Sequence, residues 1–145
     1  DTLYKASQAG VPVDMVVRGI CAVRAGVEGL SENLRVRSIL GRFLEHARVY
    51  AFANGGEPDV LIGSADLMHR NLDRRVEALV NIKKPEHVTE LLDMLDLSMQ
   101  PTTAAWDLQA DGTWQANRWD TENKPLEDIQ TAFMNRQRRS GARVR

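Results

Sequence analysis

Three stretches of this 145-residue chain carry side chains able to do chemistry. In the first, Glu45-His46-Ala47-Arg48 places a His-x-Arg step at the start of an extended run. On a strand, His46 and Arg48 point to the same side. An imidazole beside a guanidinium is a poor metal site and a good place to handle a phosphate. The imidazole exchanges a proton near neutral pH, and the cation holds anionic oxygens. In the second stretch, Ile62-Gly63-Ser64-Ala65-Asp66 leaves a strand through small residues, which let backbone approach an anion closely. Arg70, Asn71, Asp73, Arg74, Arg75 and Glu77 follow within a few positions. With Arg74 and Arg75 opening the next strand, the two face opposite ways, one into a site and the other towards a carboxylate or water. Asp66, Asp73 and Glu77 read as orienting partners for arginine and histidine rather than as metal ligands. In the third stretch, Arg18 ends the apolar run that begins at Val11. That is the C-terminal end of a strand, where open α/β sheets bind ligands. His69, in a polar loop, and His87, near a helix start, read as surface residues.

Other chemistries are excluded by what the chain lacks. There is no Gly-x-x-x-x-Gly-Lys-Ser/Thr loop and no Gly-x-Gly-x-x-Gly, so a nucleotide would not be cradled in either way. There is no Gly-x-Ser-x-Gly elbow. The single cysteine, Cys21, rules out an internal disulfide and a multi-cysteine zinc site, and reads as a small buried hydrophobe. A net charge of -1 argues against a generic nucleic-acid binder. No apolar run approaches the ~20 residues that span a bilayer. The chain opens at Asp1 on what reads as a helix already under way, and is expected to be a fragment of a longer protein.

The elements that must position these residues follow from periodicity and punctuation. With 43% hydrophobic and 27% charged residues, the chain has the composition of a globular domain. Thr2 to Gly10 reads as a helix stopped by glycine, and Val11 to Gly19 as a buried strand. Helix, glycine turn and β-branched strand together predict an α/β domain with a partly parallel sheet. Ala25 to Asn33 is a Gly-rich loop, Leu34 to Ile39 an alternating strand, and Gly41 to His46 a short helical turn. Arg48–Ala53 and Asp59–Ser64 flank Asn54-Gly55-Gly56 and predict a hairpin. Arg75 to Ile82 reads as a further strand, and Pro85 to Met99 as an amphipathic helix whose Val88, Leu91, Leu92 and Leu95 form a core stripe. A second hairpin turns at Asp111-Gly112, packed or stiffened by Trp106, Trp114 and Trp119. A last helix is expected over 125–139, started by Pro125, with a frayed basic tail over 136–145.

Taken in order and spacing, several of these segments resemble bacterial polyphosphate kinase. They are Val17-Arg18-Gly19-Ile20-Cys21, the run from Gly29 to Ile39, the run from Gly41 to Val49, Phe52 to Pro58, and the run from Gly63 to Glu77. The resemblance is close over 1–100, much weaker past Pro101, and points to the C-terminal catalytic domain of that enzyme. It implies a phospholipase-D-like α/β fold, a mixed sheet flanked by helices, as a single domain over 1–145. Residues 1–100 would form the core half-site, and 101–145 a hairpin, a helix and the basic tail. Gly63-Ser64-Ala65-Asp66, with Asn71 and Glu77, looks like a relic of that superfamily's Gly-Ser-x-Asn and glutamate signature. The full His-x-Lys-x4-Asp motif is not kept, since Arg48 stands for the lysine and Ala53 for the aspartate. This argues against a phosphodiesterase.

The resemblance further implies reversible transfer of the ATP γ-phosphate to polyphosphate through a phosphohistidine in a preceding domain. His46 matches the second histidine, which protonates the leaving group or steadies the phosphate. Arg18 and Arg75, together with His46, match the residues that hold ATP or polyphosphate phosphates; Ser64 and Asn71 join them as secondary candidates. Mg²⁺ is implied as the companion of ATP, with no protein metal site. The implied partners are ATP, ADP, polyphosphate, the preceding domains of the same protein and further copies of it, with no nucleic acid. The implied setting is the cytoplasm, in solution or at the membrane surface. Two alternatives stay open: a phospholipase-D-like phosphodiesterase, and a non-catalytic interaction module using the basic tail and the tryptophan hairpin.

Overall fold

The computed structural model describes the backbone of residues 1–141 and the side chains of 1–138. In chain order the elements are α1 (Thr2–Gln8), β1 (Val13–Val17), β2 (Leu34–Ser38), β3 (Arg48–Phe52), β4 (Asp59–Gly63), α2 (His69–Leu72), β5 (Leu79–Asn81), α3 (Pro85–Met99), β6 (Ala105–Leu108), β7 (Trp114–Asn117) and α4 (Ile129–Gly141). They fall into two compact units, one of Asp1–Leu44 with Leu97–Arg145 and the other of Glu45–Asp96. The architecture is mixed α/β, and each unit has its own sheet.

The first unit holds a four-stranded sheet in the order β1-β2-β6-β7. β1 and β2 are parallel, from Val13 against Leu34 to Val17 against Ser38. The expected parallel pairing is therefore present, but β1 is an edge strand and is only half covered. β6 joins β2 antiparallel through Arg37 opposite Asp107 and Ser38 opposite Trp106, and the Asp111-Gly112 turn returns the chain as β7. The hairpin past Pro101 thus completes the sheet begun by the N-terminal strands. One core cluster gathers Ala25, Leu34 and Val36, with Leu3, Met15, Leu108, Trp114 and a half-buried Cys21 packed against it. A second gathers Ile39, Ala105 and Ile129 with Leu97 and Phe133. The Gly-rich loop is tied to α1: Asn33 N donates to Ser7 Oγ at 3.0 Å, and Arg24 N to the Tyr4 hydroxyl at 2.9 Å.

Two expectations in this unit fail for identifiable reasons. The segment 41–46 is irregular, not a helical turn. The Gln130 side chain serves Phe43 on both sides, accepting from its N–H at 2.7 Å and donating to its C=O at 2.8 Å. Backbone groups satisfied by a side chain have no need of a helix. The last helix begins at Ile129 instead of Pro125, because Asp128 caps it by accepting from Thr131 N at 2.9 Å. Pro125 lies instead in an extended bridge with Trp119. The part of the basic tail that is described, through Gly141, is helical, and Arg143 and Arg145 lie outside the described residues. Of the three tryptophans, Trp114 packs on the core, Trp106 carries the Arg118 guanidinium 5.3 Å from its ring centre, and Trp119 is exposed.

The second unit holds the antiparallel sheet β3-β4-β5. Asn54-Gly55-Gly56 makes the β3–β4 turn with all three φ values positive, which explains the two glycines. Across the three strands Arg48 opposes Gly63, and Gly63 opposes Leu79. A Cβ at Gly63 would lie 2.9 Å from Ala78 O, so this glycine allows the close approach of β5. β5 is short. The expected strand over 75–82 reduces to Leu79–Asn81, and Arg74 and Arg75 sit in a turn and bend ahead of it. They are therefore not the opposed neighbours of a strand start.

Candidate phosphate site

Arg48 and Tyr50 lie on one face of β3, and both reach the segment that leaves β4. Arg48 Nε and Nη2 each lie 2.7 Å from Asp66 Oδ1, and Arg48 Nη1 donates to Ala47 O at 3.1 Å. The Tyr50 hydroxyl donates to Ala65 O at 2.8 Å. Arg70 Nη2 takes the other carboxylate oxygen, Asp66 Oδ2, at 3.3 Å. Arg70 Nε reaches Asn71 Oδ1 at 3.3 Å, and Asn71 Nδ2 donates to Glu77 Oε1 at 2.7 Å. Five side chains from three segments thus form one continuous chain of contacts. Asp66 is the orienting carboxylate expected for an arginine; Asp73 faces His69 at 3.2 Å; Glu77 orients an amide. Tyr50 and the double role of Asp66 escaped the sequence reading. The signal for Tyr50 was its place two residues after Arg48 on one strand face.

The expected site residues are distributed as follows. Arg18 is exposed just past the C-terminal end of β1, in the first unit. His46, Ser64 and Arg75 are exposed in irregular segments of the second. His46 stands outside β3, so the two-residue strand periodicity does not align it with Arg48. Asn71 is 4% exposed, with both amide atoms engaged. Arg48 is engaged by Asp66 and does not stand open beside His46 as a phosphate cation. On the second unit's sheet, Val49, Ile62 and Val80 line an apolar groove of about 510 Å³ with Leu91 and Met94 of α3, and Ser64 lies among its polar members. Among the described residues no three His, Cys, Asp or Glu side chains converge as a metal-ligand set. No described helix is long and apolar enough to cross a membrane.

The electrostatics follow the contacts. The hydrogen bond from Arg48 holds the Asp66 carboxyl below its ordinary value of 3.8, against the opposing effect of burial, and Arg70 adds to it. Burial pushes the Tyr50 phenol up, with Arg48 opposing. A carboxylate whose folded value lies below its unfolded one contributes stability above the unfolded value and loses it as pH falls through the folded one. The melting temperatures of the parent and Asp66→Asn are therefore expected to differ at pH 7 and to converge as pH falls below 3.8. A gap that stays constant to the acid end would show that the Asp66 charge is not what matters.

Comparison with known proteins identifies the family of the chain. The family described as polyphosphate kinase C-terminal domain 2 matches residues 1–128. The polyphosphate kinase of Streptomyces coelicolor is 58% identical over 139 residues, 96% of this chain and 19% of that protein. That of Mycobacterium avium is 51% identical over 138 residues, 95% of this chain and 18% of that protein. The crystal structure of polyphosphate kinase from Porphyromonas gingivalis superposes with a TM-score of 0.85 at 33% identity, covering 95% of this chain and 21% of that one. The likeness therefore runs well past Pro101, through the hairpin that completes the first sheet. The chain spans about a fifth of the length of the relatives it matches. With its α/β, phospholipase-D-like fold and its family match over residues 1–128, this chain belongs to the polyphosphate kinase C-terminal domain family.

Proposed function

We propose that this chain supplies one half of the active site of an ATP:polyphosphate phosphotransferase. Arg18 and Arg75 hold phosphates of ATP or of the polyphosphate chain. His46 protonates the leaving group or steadies the phosphate in transfer, and Ser64 adds a hydroxyl. The nucleophilic histidine that carries the phosphoryl group belongs to a preceding domain of the same protein. Phosphoryl transfer is mostly positioning plus positive charge around the equatorial oxygens, which is work for arginines and an imidazole. Mg²⁺ enters with the nucleotide, held by phosphates and water, and asks no ligand set of this chain.

One observation carries the reading. In this chain, which belongs to a polyphosphate kinase family, Arg48 and Arg70 are bound to Asp66, while His46 and Arg75 stand exposed on the same unit. The test is thermal unfolding of this chain with polyphosphate and with Mg-ATP. Saturation at 100 times Kd corresponds to about 2.7 kcal/mol of stabilisation. Arg75→Ala is expected to weaken that binding about 10- to 100-fold, the range for one charged hydrogen bond. Incubation with γ-³²P-ATP is expected to leave this chain unlabelled. Stoichiometric labelling would move the phosphohistidine into it and overturn the assignment.

A further inference from the structure

We propose that Asp66 and Asn71 are positioning residues, setting the spacing of His46 and Arg75 through the contacts Arg48–Asp66–Arg70–Asn71–Glu77. The inference rests on the reading of His46 and Arg75 given above. Both of those residues lie in segments without regular backbone pairing, so their own backbone does not fix them. Each stands two residues before an end of the network, His46 before Arg48 and Arg75 before Glu77. The sheet sets the starts of β3 and β5 on either side of the same end of β4. Arg48 opens β3, Leu79 opens β5, and both oppose Gly63 at the end of β4. Two strand spacings, roughly 10 Å, separate them. The side-chain network runs from Arg48, on one side of that gap, to Glu77, two residues before β5.

Its members are suited to holding geometry. Both carboxylate oxygens of Asp66 are taken, one by Arg48 and one by Arg70. The backbone beside Asp66 is pinned by the Tyr50 hydroxyl on Ala65 O. Asn71 is buried, with its carbonyl accepting from Arg70 and its amide donating to Glu77. Among the described residues no buried side-chain nitrogen or oxygen lacks a partner, so loss of the Glu77 carboxylate leaves the buried Asn71 amide without its acceptor. Asp66 also withdraws two guanidinium groups from competition for phosphate.

The experiment is a set of double-mutant cycles on kcat/KM for transfer, in the full-length polyphosphate kinase that carries this chain and well below each variant's melting temperature. Asn71→Leu is expected to lower kcat/KM by about 10²-fold, the effect of displacing a reacting group by about 1 Å. In its background Arg75→Ala should do about tenfold less than it does alone, since Arg75 is already misplaced. Arg18→Ala, in the other unit, should keep its full effect. Glu77→Gln retains the acceptor for Asn71 and is expected to recover most of the activity that Glu77→Ala loses. Independent multiplication of Asn71→Leu and Arg75→Ala overturns the proposal, as does an equal loss with Glu77→Gln and Glu77→Ala. Equal coupling to Arg18 also overturns it, by showing general destabilisation. If Arg75→Ala and His46→Ala each leave the parent's rate unchanged, the reading of the site itself falls first. Should Asn71→Leu not fold, the Glu77 pair decides alone.

Discussion

His46→Ala in the full-length enzyme is expected to slow phosphoryl transfer by ~10²–10⁴-fold, the usual contribution of a placed general acid. The loss should appear in kcat more than in affinity. In the proposed function His46 acts on the transferring group, whereas the arginines hold phosphates already bound. Arg75→Ala should show the complementary pattern, with weaker binding of polyphosphate and a smaller effect at saturation. Turnover of γ-³²P-ATP into polyphosphate across a range of substrate concentrations separates the two. A loss below tenfold for His46→Ala would mean that the leaving group finds its proton elsewhere. Glu45 is the neighbouring carboxyl to examine next.

The largest stability effect is expected at Asp107, far from that chemistry. Arg37 is 7% exposed, and its guanidinium donates to Asp107 Oδ1 at 2.7 Å and Oδ2 at 3.3 Å, to Gln100 O at 2.5 Å and to Ser98 O at 3.3 Å. Asp107→Ala leaves that cation buried with only carbonyl partners, which costs about 3–5 kcal/mol. For a chain of this size the melting temperature should fall by roughly 10 °C. The control is Asp14→Ala. Asp14 pairs with Arg35 at the same 2.7 Å, but with side chains 39% and 65% exposed. Water replaces that partner, so a change of about 0–1 kcal/mol is expected. Equal shifts for the two variants would show that the Gln100 and Ser98 carbonyls alone suffice for Arg37. Because Arg37 sits on β2, which carries both neighbours of the first sheet, Asp107→Ala is expected to unfold that unit as a whole.

Much of the framework followed from local pattern. Pro85 and the spacing of Val88, Leu91, Leu92 and Leu95 marked α3 from end to end. Asn54-Gly55-Gly56 and Asp111-Gly112 marked both hairpins, since the positive φ of Asn54, Gly55, Gly56 and Gly112 favours asparagine and glycine there. The order and spacing of five segments between Val17 and Glu77 were enough to place the chain in its family. Local pattern did not determine which of several similar side chains meets a partner. Arg35 and Arg37 are two positions apart on one strand, yet one is solvated and the other buried, because Asp107 arrives from seventy positions away. Gln130, eighty-seven positions from Phe43, removes the helical turn expected at 41–46. Asp66 engages Arg48 and Arg70 and leaves Arg75 exposed, a choice invisible in a run of arginines. Turn and helix signals are written in neighbouring residues, because backbone dihedrals and short hydrogen bonds are local. The fate of a charge is set by which opposite charge the folded chain brings within about 3 Å, and only the tertiary structure decides that.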